Sequence, residues 1–124
     1  YGTLRIGCSN HRLLVDSHYD GNATLLGYRL MSLGGCPGMV QGRRADSVVG
    51  EVYLVTGETM DRLDRLEGHP TTYQREQVRL QDGRVAYTYV YQNPVSHRER
   101  IDGGDWVEHV RTRSQQWRRH GSGD

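Results

Sequence analysis

The chain contains no phenylalanine and no lysine. Without Phe, an apolar core has to be assembled from Leu, Val and the eight Tyr, in a sequence only 35% hydrophobic. Each Tyr that is buried then needs a partner for its hydroxyl. The missing lysine excludes a Schiff-base or other lysine nucleophile. All sixteen basic residues are Arg, a pattern we attribute to genome composition. Cysteine is scarce too: Cys8 and Cys36 lie in no CxxC pair, and two cysteines do not make a disulfide scaffold. No apolar run is long enough for a membrane span and no signal peptide is visible, so a reducing cytoplasm is the expected compartment.

Neither sign of charge is in excess. A net charge of +1 gives no bulk electrostatic drive toward nucleic acid or a membrane surface. The six His stand at 11, 18, 69, 97, 109 and 120 without HxH or HExxH spacing, so no metal site is expected. A length of 124 residues suits one domain with a real core.

What is there reads as strands around one short helix, with more helix at the end. The run 23–33 (ATLLGYRLMSL) predicts a strand, stopped by Gly34-Gly35-Cys36-Pro37-Gly38. The run 48–55 is a second strand, rich in β-formers. Two further runs, 75–80 and 84–91, flank Gln81-Asp82-Gly83 and predict a hairpin. In its second strand Tyr87, Tyr89 and Tyr91 share one face. From Asp105 the pattern turns helical and ends in an expected mobile tail, His120 to Asp124. Its arginines, 111, 113, 118 and 119, read as a solvated helix face rather than a basic patch. Sequential hairpins favour antiparallel pairing, which makes the class α+β.

The stretch from Thr59 to Pro70 predicts a helix with one carboxylate out of place. Thr56 is a suitable N-cap, and Gly68 and Pro70 mark the end. Met60, Leu63 and Glu67 follow the i, i+3, i+7 spacing of a single face, so Glu67 is expected to point inward with the apolar pair. At a helix C-terminus both the dipole and partial burial disfavour its charge. A raised pKa suits a carboxylate that accepts and then donates a proton. On this segment alone the alternative, a helix-end Glu bent out to solvent, is the more common case.

Five segments in order carry a resemblance. They are Tyr1-Gly2-Thr3-Leu4-Arg5; Gly27-Tyr28-Arg29-Leu30 with Leu33-Gly34-Gly35-Cys36-Pro37-Gly38; Gly50-Glu51-Val52-Tyr53; Leu63-Asp64-Arg65-Leu66-Glu67-Gly68 followed by Tyr73-Gln74-Arg75; and Gly104-Asp105-Trp106. Together they resemble the γ-glutamylcyclotransferase family, on its γ-glutamylamine cyclotransferase-like branch, over residues 1–106. The remainder, 107–124, is expected to be a C-terminal helix and tail. The resemblance implies a compact, mixed or antiparallel β-barrel-like α+β domain with short helices and a cavity at one end. It implies an enzyme that cyclises the γ-glutamyl group of a γ-glutamyl amine or amino acid to 5-oxoproline and frees the amine. It places Glu67 at the catalytic position. Tyr1, Gly2, Thr3 and Leu4 match the loop that holds the glutamyl end. Tyr73 matches an aromatic position near the site, and Tyr91 is preferred to Tyr89 as the tyrosine of the last hairpin strand. Relatives carry an apolar strand just before Tyr-Gly-Thr-Leu, and here Tyr1 is the first residue.

The chemistry suits these residues. The substrate's α-amino nitrogen must attack its own γ-carbonyl, and as an ammonium it cannot. One carboxylate can hold that proton and return it to the departing amine. No metal or cofactor is required, and the only partner implied is a small γ-glutamyl molecule. A non-catalytic module that keeps the pocket for a γ-glutamyl or other acyl-amino ligand is the competing reading. A nucleic-acid-binding barrel built on the Tyr stripe is a distant third, because charge and aromatic–basic interleaving are lacking.

Overall fold

A computed structural model describes residues 1–122. It contains seven strands and two α-helices: β1 (His18–Leu26), β2 (Tyr28–Ser32), β3 (Pro37–Gln41), β4 (Ser47–Leu54), α1 (Gly57–Glu67), β5 (Tyr73–Arg79), β6 (Val85–Tyr91), β7 (Glu99–Arg100) and α2 (Trp106–Ser122). Before β1 the chain makes a series of tight turns and a short 3-10 helix, His11–Leu14.

Pairing is antiparallel throughout the described residues, in three small sheets ordered β1-β4, β3-β2-β7 and β5-β6. The ladders do not close into a barrel. A groove of about 590 Å³ separates β4 from β6 and runs from Tyr1 past Leu25, Met39 and Val48. The class is α+β, as the hairpin pattern requires.

The run 23–33 is not one strand. It is broken at Gly27, whose φ of +84° is a conformation that favours glycine. Gly27 N–H donates to Asp46 O at 2.9 Å and Gly27 O accepts from Gly42 N–H at 2.9 Å, so the chain turns a corner there and changes sheets. Asp46 fixes this corner. It is buried, accepts from Arg43 N–H at 2.7 Å, and pairs with Arg29 and Arg100.

The core forms where the sheets face one another. Leu30 and Met39 are opposite each other in the β2–β3 register and are each only 1% exposed. Leu25, Val48, Val78, Val90, Ile101 and Trp106 complete this cluster. Trp106 opens α2, so the helix is rooted in the core by its first residue, and the boundary expected between 106 and 107 falls inside its first turn. Farther along, Arg111 pairs with Glu108 and Arg113 with Glu99 at the surface. The expected tail, 120–124, lies partly in α2 and otherwise outside the described residues.

Gly104 marks the tightest junction. Its φ is +65°, and a Cβ there would fall 1.9 Å from Ser47 O in β4. Gly104→Ala is expected to lower unfolding stability by at least about 2 kcal/mol, since strain and overlap act together. Urea titration followed by circular dichroism measures this, and an unchanged midpoint would show that the junction relaxes at no cost.

Candidate active site

The first residues make a looped platform. Gly2 O accepts from Arg5 N–H at 3.0 Å, Thr3 O accepts from Asn10 N–H at 2.9 Å, and Leu4 O lies 2.9 Å from His11 Nδ1. Because Leu4 O can only accept, His11 Nδ1 carries the proton. In a planar trans peptide the carbonyl and the next N–H point in opposite directions. Thr3 N–H is therefore turned away from the Gly2 carbonyl, and Leu4 N–H away from the Thr3 carbonyl. Among the described residues no hydrogen bond uses the N–H groups of Gly2, Thr3 or Leu4. Backbone donors left unspent in this way are able to serve an anion.

These residues line a cavity of about 470 Å³. Tyr1 to Arg5, Gly35 to Pro37, Glu51 and Tyr53, Met60 and Glu67 of α1, Tyr73, and Tyr87 to Tyr89 form its walls. The local sequence explains how α1 presents Glu67. Thr56 Oγ1 accepts from Thr59 N–H at 3.1 Å to start the helix, and Gly68 adopts a left-handed conformation with φ 64° to end it. Leu63 packs inward, and Glu67 follows one turn later on the same face.

Glu67 has no ion pair among the described residues. Arg75, within reach by sequence, is committed to Asp64 at 2.7 Å. Burial raises the Glu67 pKa above the ordinary carboxylate value. Its field also reaches the phenols of Tyr1, Tyr73 and Tyr89, adding to the burial that keeps all three protonated.

The tyrosines differ in role. Tyr73 donates to Pro37 O at 2.8 Å and lies 3.9 Å from Cys36 Sγ at the cavity wall. Tyr89 lines the cavity and donates to Asp64 at 2.6 Å. Tyr91 is not among the lining side chains. It packs behind Tyr73, with ring centroids 5.2 Å apart, and its Cγ lies 3.0 Å from where a Gly38 Cβ would be. Gly2 is buried against β3, and a side chain there would meet Pro37 Cγ at 2.8 Å. Its smallness therefore serves packing.

The sequence reading passed over a second carboxylate. Glu51 accepts from Arg5 Nε at 3.1 Å, from Ile6 N–H at 2.9 Å and from the Tyr53 hydroxyl at 2.8 Å. Burial pushes its pKa up, but the bonds from Ile6, Tyr53 and Arg5 outweigh that and hold it below the usual range. Arg5 reaches on to Asp105 at 2.7 Å. The available signal was the alternation of Glu51 with Tyr53 on one strand face. Among the described residues no group of three or more His, Cys, Asp or Glu side chains is placed to hold a metal ion.

Comparison with known proteins bears directly on this cavity. The family model described as gamma-glutamyl cyclotransferase, AIG2-like, matches residues 1–108. The chain belongs to this family. It is 35% identical over 108 residues to the gamma-glutamylcyclotransferase family protein YtfP of Escherichia coli K12, covering 87% of this chain and 93% of that one. A Vibrio cholerae protein named as a putative gamma-glutamylcyclotransferase is 43% identical over 111 residues, covering 89% of this chain and 94% of that one. The crystal structure of an uncharacterized Pyrococcus horikoshii protein superposes with a TM-score of 0.79 at 30% identity, covering 94% and 92%. The family fold is thus the fold of this chain.

The raised Glu67 pKa has a consequence for stability. A carboxyl that titrates higher in the folded than in the unfolded protein binds more protons when folded, so it costs stability as pH rises through that window. Glu67→Gln removes the cost. The variant is expected to resist urea better than wild type at pH 7, with the difference closing as pH falls below the ordinary carboxylate value of about 4.3. A wild type that gains on the variant as pH rises would mean Glu67 is ion-paired instead.

Proposed function

We propose that this chain cyclises the γ-glutamyl group of a γ-glutamyl amine or amino acid to 5-oxoproline and releases the free amine. The observation that carries the reading is a half-buried carboxylate, Glu67, with no ion-pair partner among the described residues, sharing a cavity with a loop of unspent N–H donors.

The substrate's α-carboxylate fits the Thr3 and Leu4 N–H groups, which need no bulky side chain and present no competing acceptor. With that end anchored, the glutamyl chain can fold back so that its α-nitrogen meets its γ-carbonyl carbon. Holding this ring-ready shape supplies the larger part of the acceleration. Glu67 then takes a proton from the α-ammonium, and the amine attacks. The new C–N bond closes a five-membered lactam, and the old amide C–N bond breaks as Glu67 passes the proton to the leaving nitrogen. A second proton moves from the attacking to the leaving nitrogen, so the product amine departs as an ammonium. A carboxylate whose pKa is raised by burial is suited to both halves of this exchange. In this reading Tyr73 and Tyr89 shape the cavity wall as neutral phenols, and Tyr89 rather than Tyr91 is the hairpin tyrosine that meets the substrate.

Incubation with a panel of γ-glutamyl amides and γ-glutamyl amino acids, read by mass spectrometry, is expected to yield 5-oxoproline. Glu67→Gln is expected to lower kcat by about 10²–10⁴-fold, the usual worth of general acid–base catalysis, with ligand affinity and circular dichroism retained. Binding of the panel without any 5-oxoproline would instead support a non-catalytic γ-glutamyl-binding module. A variant keeping more than about a tenth of the rate would remove Glu67 from the proton transfers.

A further inference from the structure

Granting the cyclotransferase reading, we propose that the buried Arg5–Glu51 pair is a positioning device for the carboxylate-binding loop, and that Glu51 moves no proton in the reaction although it lines the same cavity as Glu67. The loop's geometry depends on Arg5 twice over. Its backbone N–H holds Gly2 O at 3.0 Å and so aims the Thr3 N–H away from that bond. Its side chain is fixed at two points, Nε on Glu51 at 3.1 Å and Nη1 on Asp105 at 2.7 Å, and the residue is 8% exposed.

Glu51 grips the next residue as well. One of its oxygens accepts from Ile6 N–H at 2.9 Å and from Tyr53 at 2.8 Å, while the other takes Arg5. Three donors, two of them from the loop's C-terminal end, thus converge on a carboxylate supplied by β4. At the other end of the loop Tyr1 is tied to β6 and β3, donating to Tyr89 O at 2.7 Å and accepting from Met39 N–H at 3.3 Å. The segment from Gly2 to Leu4 is suspended between these two anchors.

Geometry also separates Glu51 from a proton-carrying role. Its side chain is 6% exposed and its hydrogen bonds all run to protein donors. Protonating it would break a contact to Arg5 and turn an acceptor toward donors. Glu67 has none of these obligations.

Steady-state kinetics with γ-glutamyl-n-butylamide and γ-glutamyl-alanine tests the proposal. Glu51→Gln keeps the shape and removes the charge. It is expected to raise KM by about ten-fold or more, the effect of losing a charged hydrogen bond, while kcat stays within about three-fold of wild type. Glu67→Gln gives the opposite split. Tyr53→Phe, which removes one donor without exposing a charge, is expected to raise KM a few-fold in the same direction. It carries the test alone if Glu51→Gln does not fold. Loss of kcat by about 10²-fold in Glu51→Gln at unchanged KM would make Glu51 a proton carrier and overturn the proposal. Unchanged KM in every folded variant would reduce the pair to structural support and overturn it too. If wild type turns over nothing in the panel, the cyclotransferase reading fails separately. The positioning claim is then judged by amide NMR with 5-oxoproline as the carboxylate probe. Shifts at Thr3 and Leu4 N–H that weaken in Tyr53→Phe support it, and their absence in wild type, or equal shifts in the variant, overturns it.

Discussion

A single buried guanidinium holds the site together. Arg5 joins three parts of the chain that share no ladder: the opening loop, β4 through Glu51, and the start of α2 through Asp105. Asp105 also caps α2, accepting from Glu108 N–H at 3.1 Å, so the same carboxylate begins the helix and neutralises the loop. A buried ion pair is not in itself a stabilising choice. Its desolvation offsets most of the attraction, and well-packed apolar residues can do as well. Breaking one partner is different, at about 3–5 kcal/mol, because a bare charge stays behind. Such a pair is a poor source of net stability but a strict enforcer of one arrangement. In the proposed reading the loop works through the direction of its N–H groups, and there arrangement is what counts.

The two cavity carboxylates show how environment sets identical side chains apart. Glu51 is surrounded by donors and sits below its ordinary pKa; Glu67 is surrounded by phenols and apolar walls and sits above. Environments that push paired groups apart are the usual mark of assigned roles. What separates them is more than depth. It is the count of hydrogen bonds already committed, which fixes how much each would lose on changing its proton.

How much of this was legible in the sequence follows the distance over which each feature is determined. α1 was readable because its signals are local: the Thr56 cap, the Gly68 stop and the spacing of Leu63 and Glu67 all act within a few turns. The hairpin at Gly83 was readable for the same reason. The corner at Gly27 was not, because an apolar run on both sides masks a glycine whose φ is set by contacts with Asp46 and Gly42. The sequence offers no means of choosing between Tyr89 and Tyr91, of which the cavity is lined by Tyr89. Period-two alternation puts both on one side of β6, and only the fold brings Asp64 of α1 to the Tyr89 hydroxyl. The Arg5–Glu51–Asp105 cluster lay furthest out of reach. Its members are separated by most of the chain, and only folding brings them within 3.1 Å.

The absence of phenylalanine finds its meaning in the same cavity. The three small sheets do not close on one another by backbone pairing, so something else must join them. Tyrosine hydroxyls do this. Tyr1 bridges β6 and β3, Tyr73 ties β5 to Pro37 in β3, and Tyr89 ties β6 to α1. Each ring contributes apolar area to the core while its oxygen takes the place of a missing ladder bond. Phenylalanine would supply the area and leave the partner groups unpaired, at about 1–3 kcal/mol for each buried one. A wall of tyrosines can therefore be core on one side and cavity on the other, with every side-chain polar atom buried in the described residues still satisfied. That double use allows a short, weakly hydrophobic chain to keep an open pocket beside its core without collapsing into it.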